Sequence, residues 1–321
     1  MLPSSPFFAD VGAAFGLGTP VSDPLPVTGG LSNRLYRLQT DQGEFAIKRM
    51  VANAETESFK SNVESSFRVE QLAYAAGIVM PAPVPVAATN EALARIDDGE
   101  RGCWVRVHRW VSAAPLHAEP LAPDDIGIVA GMLATLHQIP APAVHDRFPQ
   151  LPVRDWRTAL PQEPGSSDLL HAIGVLEKII DGGYSTASPA RAMSHRDLDP
   201  KNVLRAMNGE LVLVDWDAAG PVITEWDVVT TALDWSNVRG ETVSTGAFDH
   251  FLSAYAAAGG DTNPVTAGSF AGWCEGVLDW LWFNLDRASS TNPIERQLGT
   301  SEVSLSVRFI PTAAQWITAH S

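Results

Sequence analysis

The segment Ser194-His195-Arg196-Asp197-Leu198-Asp199-Pro200-Lys201-Asn202 sets an aspartate and an asparagine five residues apart, and Asp215 follows the apolar run Leu211-Val-Leu-Val214. Phosphoryl transfer asks little covalent chemistry of a protein. It needs a carboxylate to orient the attacking hydroxyl and accept its proton, and oxygen ligands for the Mg2+ carried by the nucleotide phosphates. On one rigid loop Asp197 can face the acceptor while Asn202 faces the metal, and Asp215, ending a buried strand, brings a carboxylate to the same ion. A lone aspartate is more often a turn or cap residue. The His two residues before Asp197, the Asn five after and the strand-borne Asp eighteen after argue against that reading here. Asp199 fits either a turn or a substrate contact, and Asp217 either a second metal ligand or a solvent-facing acid. His195 reads as a residue that bonds the loop backbone rather than as an acid or base.

A nucleotide site needs phosphate contacts upstream. Thr28-Gly29-Gly30-Leu31-Ser32-Asn33 opens the first hairpin; Gly29 and Gly30 let the backbone approach a phosphate, and Ser32 and Asn33 add donors. A glycine pair alone usually means a turn, and this is no Walker loop, which needs Gly-Lys-Ser/Thr before a helix. Lys48, in Phe45-Ala-Ile-Lys48, lies where a second-strand lysine reaches the α- and β-phosphates. A helix glutamate is its expected partner, Glu70 first and Glu64 second, because the helix register is not fixed by sequence.

These residues need elements to hold them. Residues 31–38 and 44–50 read as a hairpin turning at Asp41–Gly43. Helical spacing over 55–76 ends at Gly77. Met80-Pro-Ala-Pro-Val-Pro85 excludes helix, and strands are expected around 84–96 and 103–111. From residue 124 the texture is helical, at 124–138, 166–180, 225–236, 246–258, 265–288 and 300–319, interrupted by strands at 202–204 and 211–214 around Asn208-Gly209. The Pro-rich 140–152 reads as a loop. In helix 265–288, Trp273, Trp280 and Trp282 accompany Glu275, Asp279 and Asp286. Either the aromatics are core, or Glu275, Asp279 and Trp282 line a cleft that recognises amines or sugar rings.

With 321 residues the chain suits one two-lobed enzyme or two small domains. Its 22 Lys+Arg against 37 Asp+Glu give a net charge of −15, which argues against nucleic-acid binding. A 45% hydrophobic fraction argues against disorder, and no apolar run reaches the roughly 18–20 residues of a membrane span. The start, Met1-Leu-Pro-Ser-Ser-Pro6, lacks the pattern of a signal peptide. Cys103 and Cys274 stand alone and read as reduced thiols. A soluble cytoplasmic protein, monomer or homodimer, is expected. Residues 1–111 carry 10 Lys+Arg and 12 Asp+Glu, and residues 112–321 carry 12 and 25. The acid of the second part is either a solubilising surface or a cleft for a cationic ligand.

Taken together, Gly29-Gly-Leu-Ser-Asn33, Tyr36-Arg37, Phe45-Ala-Ile-Lys48, Ala75-Ala-Gly77, Pro83-Val84, Leu133-Ala-Thr-Leu-His137, His195–Asn202 and Leu213-Val-Asp215-Trp216 resemble the aminoglycoside phosphotransferase family, within the choline-kinase and eukaryotic-like kinase superfamily. The resemblance covers roughly residues 28–230 in family order. It implies an α+β, bilobal protein-kinase-like fold: a small β-rich nucleotide-binding lobe, 1–111, a hinge about 108–113, and a larger, mainly helical catalytic and substrate-binding lobe, 112–321. It implies ATP, or GTP, with Mg2+, and transfer of the γ-phosphate to a hydroxyl of a small molecule. Carried over by residue, Asp197 is the base, Asn202 and Asp215 bind Mg2+, Lys48 contacts phosphate, and residues 108–111, with His108 and Trp110, meet the nucleobase. Pro221, Glu225, Trp226 and Asp227 match a helix-opening acidic element that supports the catalytic loop; both acids also suit a helix N-terminus. His-Arg-Asp stands where His-Gly-Asp is more usual in the family, as in protein kinases. The ten residues from Asp215 to Glu225 leave no room for an activation loop, which points to a small-molecule acceptor: an aminoglycoside, another antibiotic or an amino sugar. The alternatives are a metabolic kinase of the choline, homoserine or thiosugar type, and a nucleotide-binding pseudokinase scaffold.

Overall fold

Along Gly43–Arg49 the apolar Phe45 and Ile47 alternate with Ala46 and Lys48, a period of two that sends the pairs to opposite faces of a sheet. A computed structural model describes residues 5–27, 33–51, 54–99, 102–116, 121–141, 154–160, 165–186, 190–240, 242–261 and 263–321. It divides into two units, one of Met1–Ala118 with His195–Gly220, the other of Glu119–Ser194 with Pro221–Ser321. The fold is α+β, with a small β-rich unit and a larger, mainly helical one.

In the first unit, helix α1 (Ser5–Phe15) precedes β1 (Leu25–Val27), β2 (Arg34–Thr40) and β3 (Gly43–Arg49). Helix α2 (Phe59–Ala75), β4 (Pro83–Val84), β5 (Ala94–Ile96), β6 (Cys103–Arg109) and β7 (Ala113–Pro115) follow. The sheet runs β1-β2-β3-β6-β4, with β5 also on β6, and all its pairings are antiparallel. The expected hairpin is β2–β3, and Gly77 takes φ +88 just after α2. Phe7, Phe8, Val11 and Phe15 of α1 cover one sheet face through Tyr36, Leu38, Phe45, Ile47, Val105 and Val107. Each such side chain contributes about 1.5–3 kcal/mol on burial. Phe59, Val63 and Phe67 of α2 pack on Met50 and Leu93. The expected strand over 84–96 is instead two short strands, because a run of turn residues separates β4 from β5.

After β8 (Arg191–Ser194), the hairpin of β9 (Val203–Ala206) and β10 (Leu211–Leu213) joins the first unit. Residues 195–220 therefore group with the first unit, whereas the expected boundary of 112–321 places them in the helical lobe. The cause is local: β9 pairs with β7, and the Leu213 amide donates to the Val79 carbonyl at 2.9 Å.

The second unit holds α3 (Pro123–His137), α4 (Trp156–Ala159), α5 (Ser166–Thr186), the ladder of β8 with β11 (Gly220–Ile223), α6 (Thr224–Asp234), α7 (Thr245–Ala257), α8 (Ala271–Ala288) and α9 (Pro293–His320). Helix α8 starts six residues later than expected because a 3-10 turn, Ala267–Phe270, occupies its place. Helix α9 starts earlier, where Asn292 caps Pro293 by accepting from the Ile294 amide at 3.0 Å. Cys103 and Cys274 are buried and free. Among the described residues, no helix is long and apolar enough to cross a membrane.

Gly183 lets α5 lie directly on the 3-10 turn. A Cβ there would stand 2.9 Å from the Gly268 carbonyl oxygen and would press on Ala271. Gly183→Ala is therefore expected to lower stability by about 1–3 kcal/mol from overpacking, although alanine is the better helix former by about 1 kcal/mol. Gly174, on the same helix, has nothing within 4 Å of its would-be Cβ, so Gly174→Ala is expected to raise stability by up to about 1 kcal/mol. Urea unfolding followed by circular dichroism reads both; shifts of the same sign would refute the packing argument.

Candidate active site

The pairing of β3 with β6 sets Lys48 opposite Arg106 and Ala46 opposite His108. These four occupy the face turned away from α1, since Phe45, Ile47, Val105 and Val107 fill the other. Glu70, on the buried stripe of α2, is fully buried, and Arg106 is 1% exposed. Arg106 Nη2 donates to Glu70 Oε2, and His108 Nε2 lies 2.8 Å from Glu70 Oε1. Arg106 Nη1 donates to Asp217 Oδ1 at 2.6 Å, and Lys48 Nζ donates to Asp217 Oδ2 and, at 2.6 Å, to Asp215 Oδ1. Asn33 Nδ2 reaches Asp217 Oδ2 at 3.4 Å, and Ser66 Oγ on α2 donates to the Asp217 carbonyl at 2.9 Å.

Neither expected glutamate holds Lys48. Glu70 is taken by Arg106 and His108, because the planar guanidinium on the next strand bridges two carboxylates at once. Glu64 accepts from the amides of Ala92 and Leu93. Asp217 is not the solvent-facing acid that was one of its two expectations: both its oxygens are engaged by cationic side chains. Burial alone would push Lys48 down, but the Asp217 and Asp215 carboxylates outweigh it and hold the ammonium above its ordinary value. Burial likewise would raise Asp217 and Glu70. Lys48 and Arg106 hold the first below the usual carboxylate range, and His108 and Arg106 lower the second.

The loop from His195 to Asn202 is fixed from inside. His195 is buried, its Nε2–H donates to the Val214 carbonyl at 3.0 Å, and its ring meets Trp216 edge-on at 4.7 Å. Asn202 Nδ2 donates to both the carbonyl and Oδ2 of Asp197, at 2.8 Å each. Lys201 Nζ donates to Asp197 Oδ1 at 2.9 Å. Asp199 caps the 3-10 turn Pro200–Asn202 by accepting from the Lys201 amide at 2.9 Å. The Val214 amide donates to the Asn202 carbonyl at 2.9 Å, so Asp215 follows directly on the residue bonded to Asn202. Asp215 has φ +67 and ψ 62, a left-handed conformation that non-glycine residues seldom adopt.

The donor set Asn202 and Asp215 fits Mg2+, a hard cation that takes one or two carboxylates and completes its shell with phosphate and water. Both Asn202 hydrogen bonds use Nδ2, which leaves the amide oxygen to a cation, and Lys48 takes one Asp215 oxygen. Among the described residues there is no group of three or more His, Cys, Asp or Glu that could hold a metal ion.

Gly29, Gly30 and Ser32 lie outside the described residues. Asn33 is placed beside the ion cluster, its Oδ1 accepting from the Val51 amide at 2.9 Å. The His108 side chain points to Glu70, and the amides of Arg109 and Trp110 bond the carbonyls of Ala82 and Glu44. The Trp110 ring stacks under Arg37, with its guanidinium carbon 5.1 Å from the ring centroid. Arg106 was not among the expected site residues. Its signal was its phase, a charge set between Val105 and Val107, the apolar residues of the opposite face.

In the second unit, Glu275, Asp279 and Trp282 share one side of α8. Glu275 accepts from Tyr184 Oη at 2.8 Å, Asp279 from Arg154 Nη2 at 2.6 Å, and Trp282 packs edge-on against Trp156 at 5.2 Å. Trp273 is core. Trp280 Nε1 donates to Glu302 at 2.9 Å. Burial raises the Glu275 carboxyl above its ordinary value. The acids that open α6 serve their own unit: Asp227 pairs with His137 Nε2 at 2.9 Å and Glu225 accepts from Ser269.

Comparison with known proteins bears on the family and the fold. No curated protein matches the chain. Among solved structures, a spectinomycin phosphotransferase in complex with ADP and spectinomycin is similar with a TM-score of 0.70 at 12% identity, covering 98% of this chain and 99% of that one. A microcompartment-associated aminopropanol kinase gives 0.64 at 16% identity, covering 97% and 98%. An ethanolamine kinase of Plasmodium vivax gives 0.57 at 15%, covering 91% and 83%. At such identities the likeness is one of fold. A family model described as the phosphotransferase enzyme family matches residues 24–267, a span that includes Lys48, Arg106, Asp197, Asn202, Asp215 and Asp217. The chain belongs to that phosphotransferase enzyme family.

Proposed function

We propose that this protein transfers the γ-phosphate of ATP to a hydroxyl of a small, polar, cationic acceptor such as an aminoglycoside, another antibiotic or an amino sugar. One observation carries this: Asn202 clamps Asp197 through two 2.8 Å bonds while its backbone is tied to Val214, next to Asp215. A base and a metal-facing pair are thereby held on one short scaffold. Asp197 orients the acceptor hydroxyl and accepts its proton; Lys201 on one carboxylate oxygen and Asn202 on the other fix the orientation of the group. Asn202 and Asp215 hold Mg2+, which when bound neutralises phosphate charge. Lys48 contacts the α- and β-phosphates, and GTP would meet the same contacts. Glu275, flanked on the same helix by Asp279 and Trp282, receives the acceptor's cation. Spectinomycin phosphotransferase supports the antibiotic reading. The aminopropanol and ethanolamine kinases favour a second one, a metabolic kinase for a small amino alcohol.

An ADP-release screen over antibiotics, amino sugars and amino alcohols, with mass detection of an added phosphate, tests the proposal and separates its two readings. Asp197→Ala is expected to lower kcat by about 10²–10⁴-fold while leaving Mg-ATP binding intact. Equal ADP release by parent and variant on every compound would overturn the reading. The acid limb of kcat/KM tests the acceptor contact. Charge recognition by Glu275 is present above its raised pKa and lost as pH falls through it, so the loss starts at a higher pH than for an ordinary glutamate. Tyr184→Phe removes a bond that favours the carboxylate and is expected to move the limb further up. Glu275→Gln is expected to abolish this limb; a limb unchanged in that variant rules out its role.

A further inference from the structure

Lys48 and Arg106 are direct cross-strand partners on one sheet face. Like charges at that spacing repel, and the guanidinium is buried, so the pair stands only where anions lie against it. Two carboxylates match the two cations: Glu70 on Arg106, and Asp217 on both. Asp215 is then the surplus carboxylate of the cluster. It is also the more open one, 48% exposed against 22% for Asp217. A cation drawn to the cluster would therefore take Asp215, and Lys48 would keep Asp217.

We propose that Arg106 is a positioning residue for nucleotide binding: it pins Asp217 beneath Lys48, so that the ammonium is anchored through Asp217 and Arg106 instead of directly by a helix glutamate. The assignment rests on the proposed contact of Lys48 with the nucleotide phosphates. Asp217 is suited to the role and unsuited to holding metal, since each of its oxygens already accepts from a cationic nitrogen. Helix α2 grips the same anchor twice, Glu70 through Arg106 and Ser66 through the Asp217 carbonyl. The helix therefore acts on Lys48 through two intermediates and not through one ion pair. A residue whose only task is to offset Glu70 would not need the second bond to Asp217.

A thermodynamic cycle on the full chain tests this, using calorimetric titration with Mg-ATP and no acceptor, for the parent, Arg106→Met, Lys48→Met and the double variant. If Arg106 acts through Lys48, Arg106→Met weakens binding about tenfold in the parent background and less than about twofold when Lys48 is already gone. Equal weakening in both backgrounds overturns the proposal. Because Arg106→Met takes a cationic partner from buried Glu70 as well as from Asp217, Glu70→Gln/Arg106→Met is measured beside it. Its thermal midpoint is expected to return to within about 3 °C of the parent while nucleotide binding stays weak. Recovery of binding together with the midpoint would make Arg106 merely structural and overturn the assignment. A parent that binds no Mg-ATP overturns the phosphotransfer reading as well, a result distinct from additive losses in a parent that binds.

Discussion

Lys48 and Arg106 stand side by side on adjacent antiparallel strands, and everything near them is arranged to make that tolerable. In a partly desolvated site the repulsion of two cations is far stronger than in water. It is relieved by carboxylates from segments distant in sequence: Glu70 on α2, and Asp215 and Asp217 after β10. Removing one partner from a buried ion pair typically costs about 3–5 kcal/mol, because the other charge is left uncompensated. The cluster is therefore less a store of stability than a condition of assembly. The β3–β6 register is acceptable only when α2 and the segment after β10 are both in place.

The same condition explains the backbone of the two proposed acidic centres. Asp215 at φ +67 and Arg196 at φ +64, next to Asp197, are left-handed without being glycine. Such residues cost of order 1–3 kcal/mol each and persist where the surroundings over-determine them. The surroundings here are Trp216 and His195, buried and in edge-on contact, with His195 bonded to the Val214 carbonyl. Gly220 belongs to the same arrangement: a Cβ there would lie 2.8 Å from the Arg196 guanidinium carbon. The strain aims the Asp215 carboxylate at Lys48 while the tryptophan behind it enters the core.

What could be read from sequence was what is local. Asp197, Asn202 and Asp215 declare themselves by spacing, and Lys48 by its place in an alternating strand. The helices α3, α5, α6 and α7 follow from apolar periodicity. The partner of Lys48 was not local: it depends on the register between strands whose centres lie some sixty residues apart, and that register brings Arg106 between Lys48 and Glu70. Helix α1 left signals that went unused, Pro6 in its first turn and apolar residues at 7, 8, 11 and 15. The start of α9 is set by Asn292-Pro293 and not by its apolar stripe. Its passage through Pro311 is opposed by local propensity and permitted by packing, with Phe309, Ile310, Ala313 and Ala314 all buried.

The charge asymmetry changes meaning once His195–Gly220 is counted with the first unit. That unit then carries 13 Lys+Arg and 17 Asp+Glu, and the second carries 9 and 20, so the imbalance is −4 against −11. Much of the second unit's acid is already committed. Asp227 is on His137, Glu225 on Ser269 and Asp279 on Arg154. Glu275 differs, because the hydrogen bond it accepts comes from a neutral tyrosine hydroxyl. Its charge is oriented by that hydroxyl, with the Arg154 guanidinium near it but bonded to Asp279, in surroundings that already raise the cost of keeping it. A cation brought beside it would relieve that cost. The sign of the proposed acceptor is thus argued from a single carboxylate and its neutral partner, a narrower and stronger basis than the net charge of the chain.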